Sequence, residues 1–122
     1  MSSIDGIRSI ADALADLLTE IEGLRVERRP GAAPAPPALY VPPATMSWDG
    51  YAAAPTEASF ELVLAVAADE RAVETLYDLL PQVTETIDGS TVDAVVKSAE
   101  PGVWRVGAVE LPAYFITVEA AI

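Results

Sequence analysis

Between Arg29 and Pro37 four of nine residues are proline, and a stretch with so few amide donors cannot sustain a sheet ladder. The stretch Arg29-Pro30-Gly31-Ala32-Ala33-Pro34-Ala35-Pro36-Pro37 is therefore a loop or a stiff arm. Ala38-Leu39-Tyr40-Val41 follows as a short strand, and Pro42-Pro43 stops it. The segment beyond is long and irregular, with Met46, Trp48, Asp49-Gly50 and Tyr51, and regular structure resumes only near Ser59. Every other element has to be arranged around these interruptions.

Before them, Ile4, Ile7, Ile10, Ala11, Leu14, Leu17, Leu18 and Ile21 recur at helical spacing, with Asp12, Asp16, Glu20 and Glu22 between them. Ser3 or Asp5 caps this amphipathic helix and Gly23 supplies the left-handed residue that ends it. Leu24-Arg25-Val26-Glu27-Arg28 then alternates as a half-buried strand. From Ser59, Phe60, Leu62, Leu64 and Val66 share one face while Glu61, Val63, Ala65 and Ala67 share the other, the pattern of a central strand.

Asp69 caps a second helix with an apolar stripe through Ala72, Val73, Leu76, Leu79 and Leu80. Pro81 interrupts that pattern, which predicts a helix to about Leu79 and a turn or short helix from Pro81 to Ile87, ended at Asp88-Gly89. The last third is strand-like: Val92 to Ser98, a turn at Glu100-Pro101-Gly102, Val103 to Val106, and Tyr114 to Ala120. Val109-Glu110-Leu111-Pro112 reads as an edge or hairpin connection, since Pro112 removes a ladder bond. The expectation is one α+β domain over 1–122, an antiparallel sheet of four to six strands packed by two main helices in the order α-β-β-β-α-β-β. Mobile loops are expected at about 29–37 and 45–56.

A chain of 122 residues with 52% hydrophobic composition can stabilise such a domain by apolar burial. It has to, because it contains neither cysteine nor histidine. Disulfides, thiol chemistry, Ser-His-Asp and Cys-His arrangements and histidine zinc sites are thereby excluded. Nineteen acids against seven bases give a formal charge of −12, so a phosphate backbone or anionic membrane meets repulsion. Arg25, Arg28 and Arg29 form the one basic cluster. No stretch has the roughly 20 apolar residues of a membrane helix, and the N-terminus lacks a signal peptide's basic start and apolar run. The expectation is a soluble, unprocessed chain.

Carboxylates remain as candidates for chemistry. Asp12, Asp16 and Glu20 stand four residues apart on one helical face, where a hard cation is conceivable, but any solvated surface helix has this spacing. Asp69-Glu70 with Glu74 reads as a helix start with first-turn acids. Lys97, the one lysine, reads as a strand-edge residue and not as a nucleophile. Asp88-Gly89-Ser90-Thr91 matches no phosphate-cradling loop. Trp48 and Tyr51 lie outside any periodic element and either form a contact surface or fold back onto the core. Trp104, between Val103 and Val106, reads as core packing.

The order helix, strand, proline-rich strand, long loop, central strand, helix and strand pair spans nearly the whole chain. It is carried by Ile21-Glu22-Gly23-Leu24-Arg25-Val26, by Pro36-Pro37-Ala38-Leu39-Tyr40-Val41-Pro42, by Ser59-Phe60-Glu61-Leu62-Val63-Leu64, and by Trp104-Arg105-Val106-Gly107 through Tyr114-Phe115-Ile116-Thr117-Val118-Glu119. It resembles the tail terminator, or tail completion, proteins of long-tailed bacteriophages, especially those infecting actinobacteria. The resemblance implies a non-enzymatic virion protein without cofactor or metal, assembled in the host cytoplasm. It implies a homo-oligomeric ring, usually of six subunits, on the head-proximal end of the tail, which stops tail-tube polymerisation and presents the head-joining surface.

The implied partners are the tail-tube protein and a head-neck protein, with no membrane. DNA passes through the lumen without specific binding: six copies gather about −72 formal charges, and an acidic lumen lets DNA slide. The candidate interface residues are Arg28, Arg29, Met46, Trp48 and Tyr51. Another neck protein, a head-completion or connector subunit, is the nearest alternative. A small carboxylate-dependent metal-binding module or enzyme is the alternative from a different class.

Overall fold

In a computed structural model, which describes residues 3–29 and 35–120, the first helix, α1, runs Ser3–Thr19. Ile7, Ala11, Leu14 and Leu18 are buried along one side, and Asp12 and Asp16 face solvent. Thr19 Oγ1 donates to the Ala15 carbonyl at 2.7 Å, and the chain leaves the helix before Ile21. Gly23 holds φ at +80°, the left-handed conformation that its position predicted.

Two short strands follow, β1 (Arg25–Glu27) and β2 (Ala38–Tyr40). They pair in parallel, Val26 opposite Leu39, where antiparallel neighbours were expected. An antiparallel pair needs only a tight turn, whereas a parallel one needs enough chain to return to the starting end. Residues 28–37 supply that length. Of the segment expected to be a mobile loop at 29–37, residues 30–34 lie outside the described residues.

The segment expected as a loop at 45–56 opens instead with a strand, β3 (Thr45–Ser47), antiparallel to the start of β4 (Glu57–Ala65). β2 pairs antiparallel with the other end of β4. Tyr40 stands opposite Val63 and Thr45 opposite Ser59, so residues 41–44 face only 60–62. β2 and β3 are thus one strand interrupted by a one-residue bulge. Pro42 and Pro43 are its cause, since neither has an amide to give the ladder.

The second helix, α2, is continuous over Ala72–Asp88 and passes through Pro81, correcting the expected break. Ala72, Leu76, Leu79, Val83 and Ile87 form an unbroken buried stripe, so packing on both sides of the proline holds the helix together. The carbonyl that loses its donor belongs to Tyr77, itself exposed. Val73 falls outside the stripe and is exposed. Asp69 Oδ1 accepts from the Arg71 amide at 2.8 Å, just ahead of the helix.

β5 (Ala94–Val106) and β6 (Val109–Ala120) form one long antiparallel hairpin. The expected turn at Pro101-Gly102 is absent, and both residues lie inside β5. β5 is the edge of the sheet, where alternate amides have no partner and a proline is tolerated. The turn is Gly107-Ala108, with φ +61° at Gly107. Pro112 pairs with Val103 inside β6, one residue beyond the last β4–β6 pair, Ala65–Ala113. The Val66 amide donates to its carbonyl at 3.0 Å.

Among the described residues the mixed sheet has six strands in the order β1-β2-β4-β6-β5, with β3 continuing β2 beside β4. Leu39, Phe60, Leu62, Leu64, Ile116 and Val118 point to the side where both helices pack, and close the core against Leu14, Leu18, Val83 and Ile87. The α+β class follows, with both helices on one face. None of the described helices is long and apolar enough to cross a membrane.

Candidate protein-interaction site

Alternation along the strands gives the sheet a second face that no described helix covers. Tyr40 of β2 and Val63 of β4 stand opposite one another there, next to Phe115 of β6. Ala65 and Ala113 form a low floor beside them, 0% and 1% exposed. Over this floor the Trp104 ring reaches across to stack on Tyr40, centroids 5.7 Å apart and planes 17° from parallel. Trp104 was expected in the core. It shares its face with Leu111, on a part of the hairpin that outruns β4, and packs in this second apolar cluster instead.

Phe115 lies over Gly102, where a Cβ would come within 2.6 Å of its Cε2. Glycine is therefore required in β5 for the ring to lie flat across the strand. At the rim of the same face, Glu27 accepts from the Arg29 amide at 2.8 Å and Arg29 Nε at 3.1 Å, and from the Arg28 amide at 3.0 Å. The hydrogen bonds from the Arg29 side chain and backbone lead in lowering its carboxyl to about 2, and the same contact raises Arg29.

A groove opens on the other side of the sheet, between the first half of α1 and the bulge joining β2 to β3. Ile4, Ile7, Pro43, Met46 and Phe60 line it, and its volume is about 240 Å³. Its charged lining residues among those described are Arg8 and Arg28. Arg28 pairs with Asp12 across the end of the groove, both side chains half-exposed. The Asp12, Asp16 and Glu20 row therefore does not converge on a point. Among the described residues no three Asp or Glu side chains stand close enough to share a metal ion. Lys97 sits at a register shift in β5, 3.9 Å from Glu119.

Of the five interface candidates, the structure brings Arg28 and Met46 together in this groove. Arg29 is turned to Glu27. Trp48, half exposed, and Tyr51, fully exposed, lie on the β3–β4 connection and do not fold back onto the core. That connection is closed by the Thr56 amide donating to Ser47 O at 2.8 Å and turned at Gly50, φ +60°.

Sequence reasoning missed a third surface. Val73 and Tyr77, each 61% exposed, form an i, i+4 pair on α2. Tyr77 leans on Tyr114 with ring centroids 6.3 Å apart, and a hydrogen bond between the two raises the Tyr114 hydroxyl. The available signal was the spacing: Ala72, Leu76 and Leu79 already complete a buried stripe, leaving Val73 and Tyr77 on a neighbouring one. Compared with known proteins, the sequence matches no family model and no curated relative.

Proposed function

We propose that this chain is a non-enzymatic virion subunit that assembles as a ring on the head-proximal end of a phage tail, stops the tube from growing and offers the surface to which the head joins. The observation that carries this reading is the helix-free second face of the sheet. Its Tyr40–Trp104 stack and the Phe115 ring over Gly102 form a half-buried aromatic platform, and aromatics of this kind anchor protein interfaces. The resemblance in element order supplies the station, and the −12 charge suits a passage that DNA must not adhere to.

The test is polymerisation of the tail-tube protein of the same phage with and without this chain, with tube lengths read by electron microscopy. Added protein is expected to cap tubes and shorten them, and Trp104→Ala to lose capping while remaining folded. Unchanged tube length with the native chain would refute the station. Binding to a head-neck protein alone would favour the head-completion reading.

A further inference from the structure

We infer that the Val73–Tyr77 ridge of one copy docks into the α1 groove of the next, so that copies join head to tail. This rests on the ring reading and names its subunit contact. The two surfaces complement each other in size and in charge. A cavity of roughly 150 Å³ accepts a benzene ring, so the 240 Å³ groove accommodates one tyrosyl ring with a branched side chain beside it. Tyr77 and Val73 are that pair, and both are exposed.

The charges are opposite. The groove is lined by Arg8 and Arg28; Arg28 is held by Asp12, and Arg8 forms no ion pair among the described residues. The ridge is flanked by Glu70, Glu74 and Asp78, and α2 carries four acids and no base between Ala72 and Asp88. Arg71 offsets only Glu74, at 3.4 Å and in solvent. In a chain with seven bases and nineteen acids, an apolar groove whose charged lining is basic selects for an apolar segment with acidic flanks. The same chain presents one.

The two surfaces do not meet within one molecule. α1 and α2 pack against each other over the sheet, but the groove is lined by α1 and the β2–β3 bulge with no residue of α2, and Val73 and Tyr77 stay exposed on α2. A groove and a ridge on different surfaces of one chain make a heterologous contact, which closes into a ring or runs on as a filament.

The contact predicts a mixing behaviour. Ile4→Glu blocks the groove and leaves the ridge; Val73→Glu blocks the ridge and leaves the groove. By sedimentation velocity the native chain is expected to form species larger than a dimer as concentration rises to about 1 mM, where a contact with a dissociation constant of that size is half occupied. Each variant alone stays monomeric, and an equimolar mixture gives a dimer and nothing larger. The surface pair R8E and D78R repeats the test without touching apolar positions. Each alone weakens association at least tenfold, and the R8E/D78R double variant restores it.

A native chain monomeric to that concentration, a variant that assembles like the native chain, or a mixture that stays monomeric while circular dichroism shows both variants folded would each overturn the inference. Native oligomers that ignore all four substitutions would discard this contact and leave the ring reading standing, which the tube-length assay judges by itself.

Discussion

Gly102→Ala isolates the packing of the sheet's open face. The added Cβ meets Phe115 Cε2 at 2.6 Å and Cδ2 at 3.1 Å, where ordinary contact begins at 3.4 Å. The ring must retreat by nearly 1 Å or swing off the strand. Overpacking of this kind costs about 1–3 kcal/mol, and removing a strand glycine returns about 0.5–1 kcal/mol. The net loss is about 1–2 kcal/mol, which for a chain of this length lowers the midpoint of thermal unfolding by about 4–8 °C. The control is the same change with Phe115→Ala, where the obstacle is gone and Gly102→Ala becomes neutral or stabilising. A double-mutant cycle from urea unfolding measures the coupling. An equal loss in both backgrounds would show that the glycine is needed for its backbone and not for the ring, and would refute the reasoning.

Gly23→Ala is expected to cost about 1–2 kcal/mol from the left-handed φ alone, since nothing lies within 4 Å of the new Cβ; urea unfolding reads it. Pro81→Ala restores a helical hydrogen bond on the exposed side of α2 and is expected to raise stability by about 1 kcal/mol or more in the same assay. Glu27→Gln tests the Arg29 contact: a carboxyl lowered to about 2 when folded, against an unfolded value of about 4.3, makes the unfolded state the better proton acceptor between them. The stability it contributes is therefore full above that range and lost as pH falls toward 2, so native and variant melting temperatures should differ at neutral pH and converge in acid. Trp48→Ala and Tyr51→Ala are expected to weaken tube capping by about 1–3 kcal/mol if either anchors the contact, while Asp12→Asn, Asp16→Asn and Glu20→Gln leave capping nearly intact; a severe defect from one acid with the fold retained would overturn the non-enzymatic reading.

Periodicity made the helices and β4 legible, because Leu14, Leu18, Leu76, Val83, Leu62 and Leu64 are buried by the same layer that their spacing implies. Prolines were the misleading signal. Pro81, Pro101 and Pro112 all lie inside regular elements, since what a proline costs depends on which carbonyl it strands and whether a neighbour stands on that side. Those facts belong to the sheet order, which no local pattern carries. The parallel β1–β2 pair is likewise a consequence of non-local register. Of the candidate site, Met46 and Arg28 were visible as residue types, but their groove exists only because Pro42-Pro43 shifts the strand by one residue against Phe60.

The interrupted β2–β3 strand also divides the sheet by how readily its parts open. β1, β2 and β3 have three residues each, whereas β4, β6 and β5 have nine, twelve and thirteen. Three-residue strands separated by a proline break share little cooperativity along their length, so their amides are expected to exchange with solvent through local opening while those of β4 and β6 wait for global unfolding. The groove beside α1 is therefore built on the softer half of the molecule and the aromatic platform mainly on the stiffer half, so that one surface can adjust to a neighbour while the other keeps its shape.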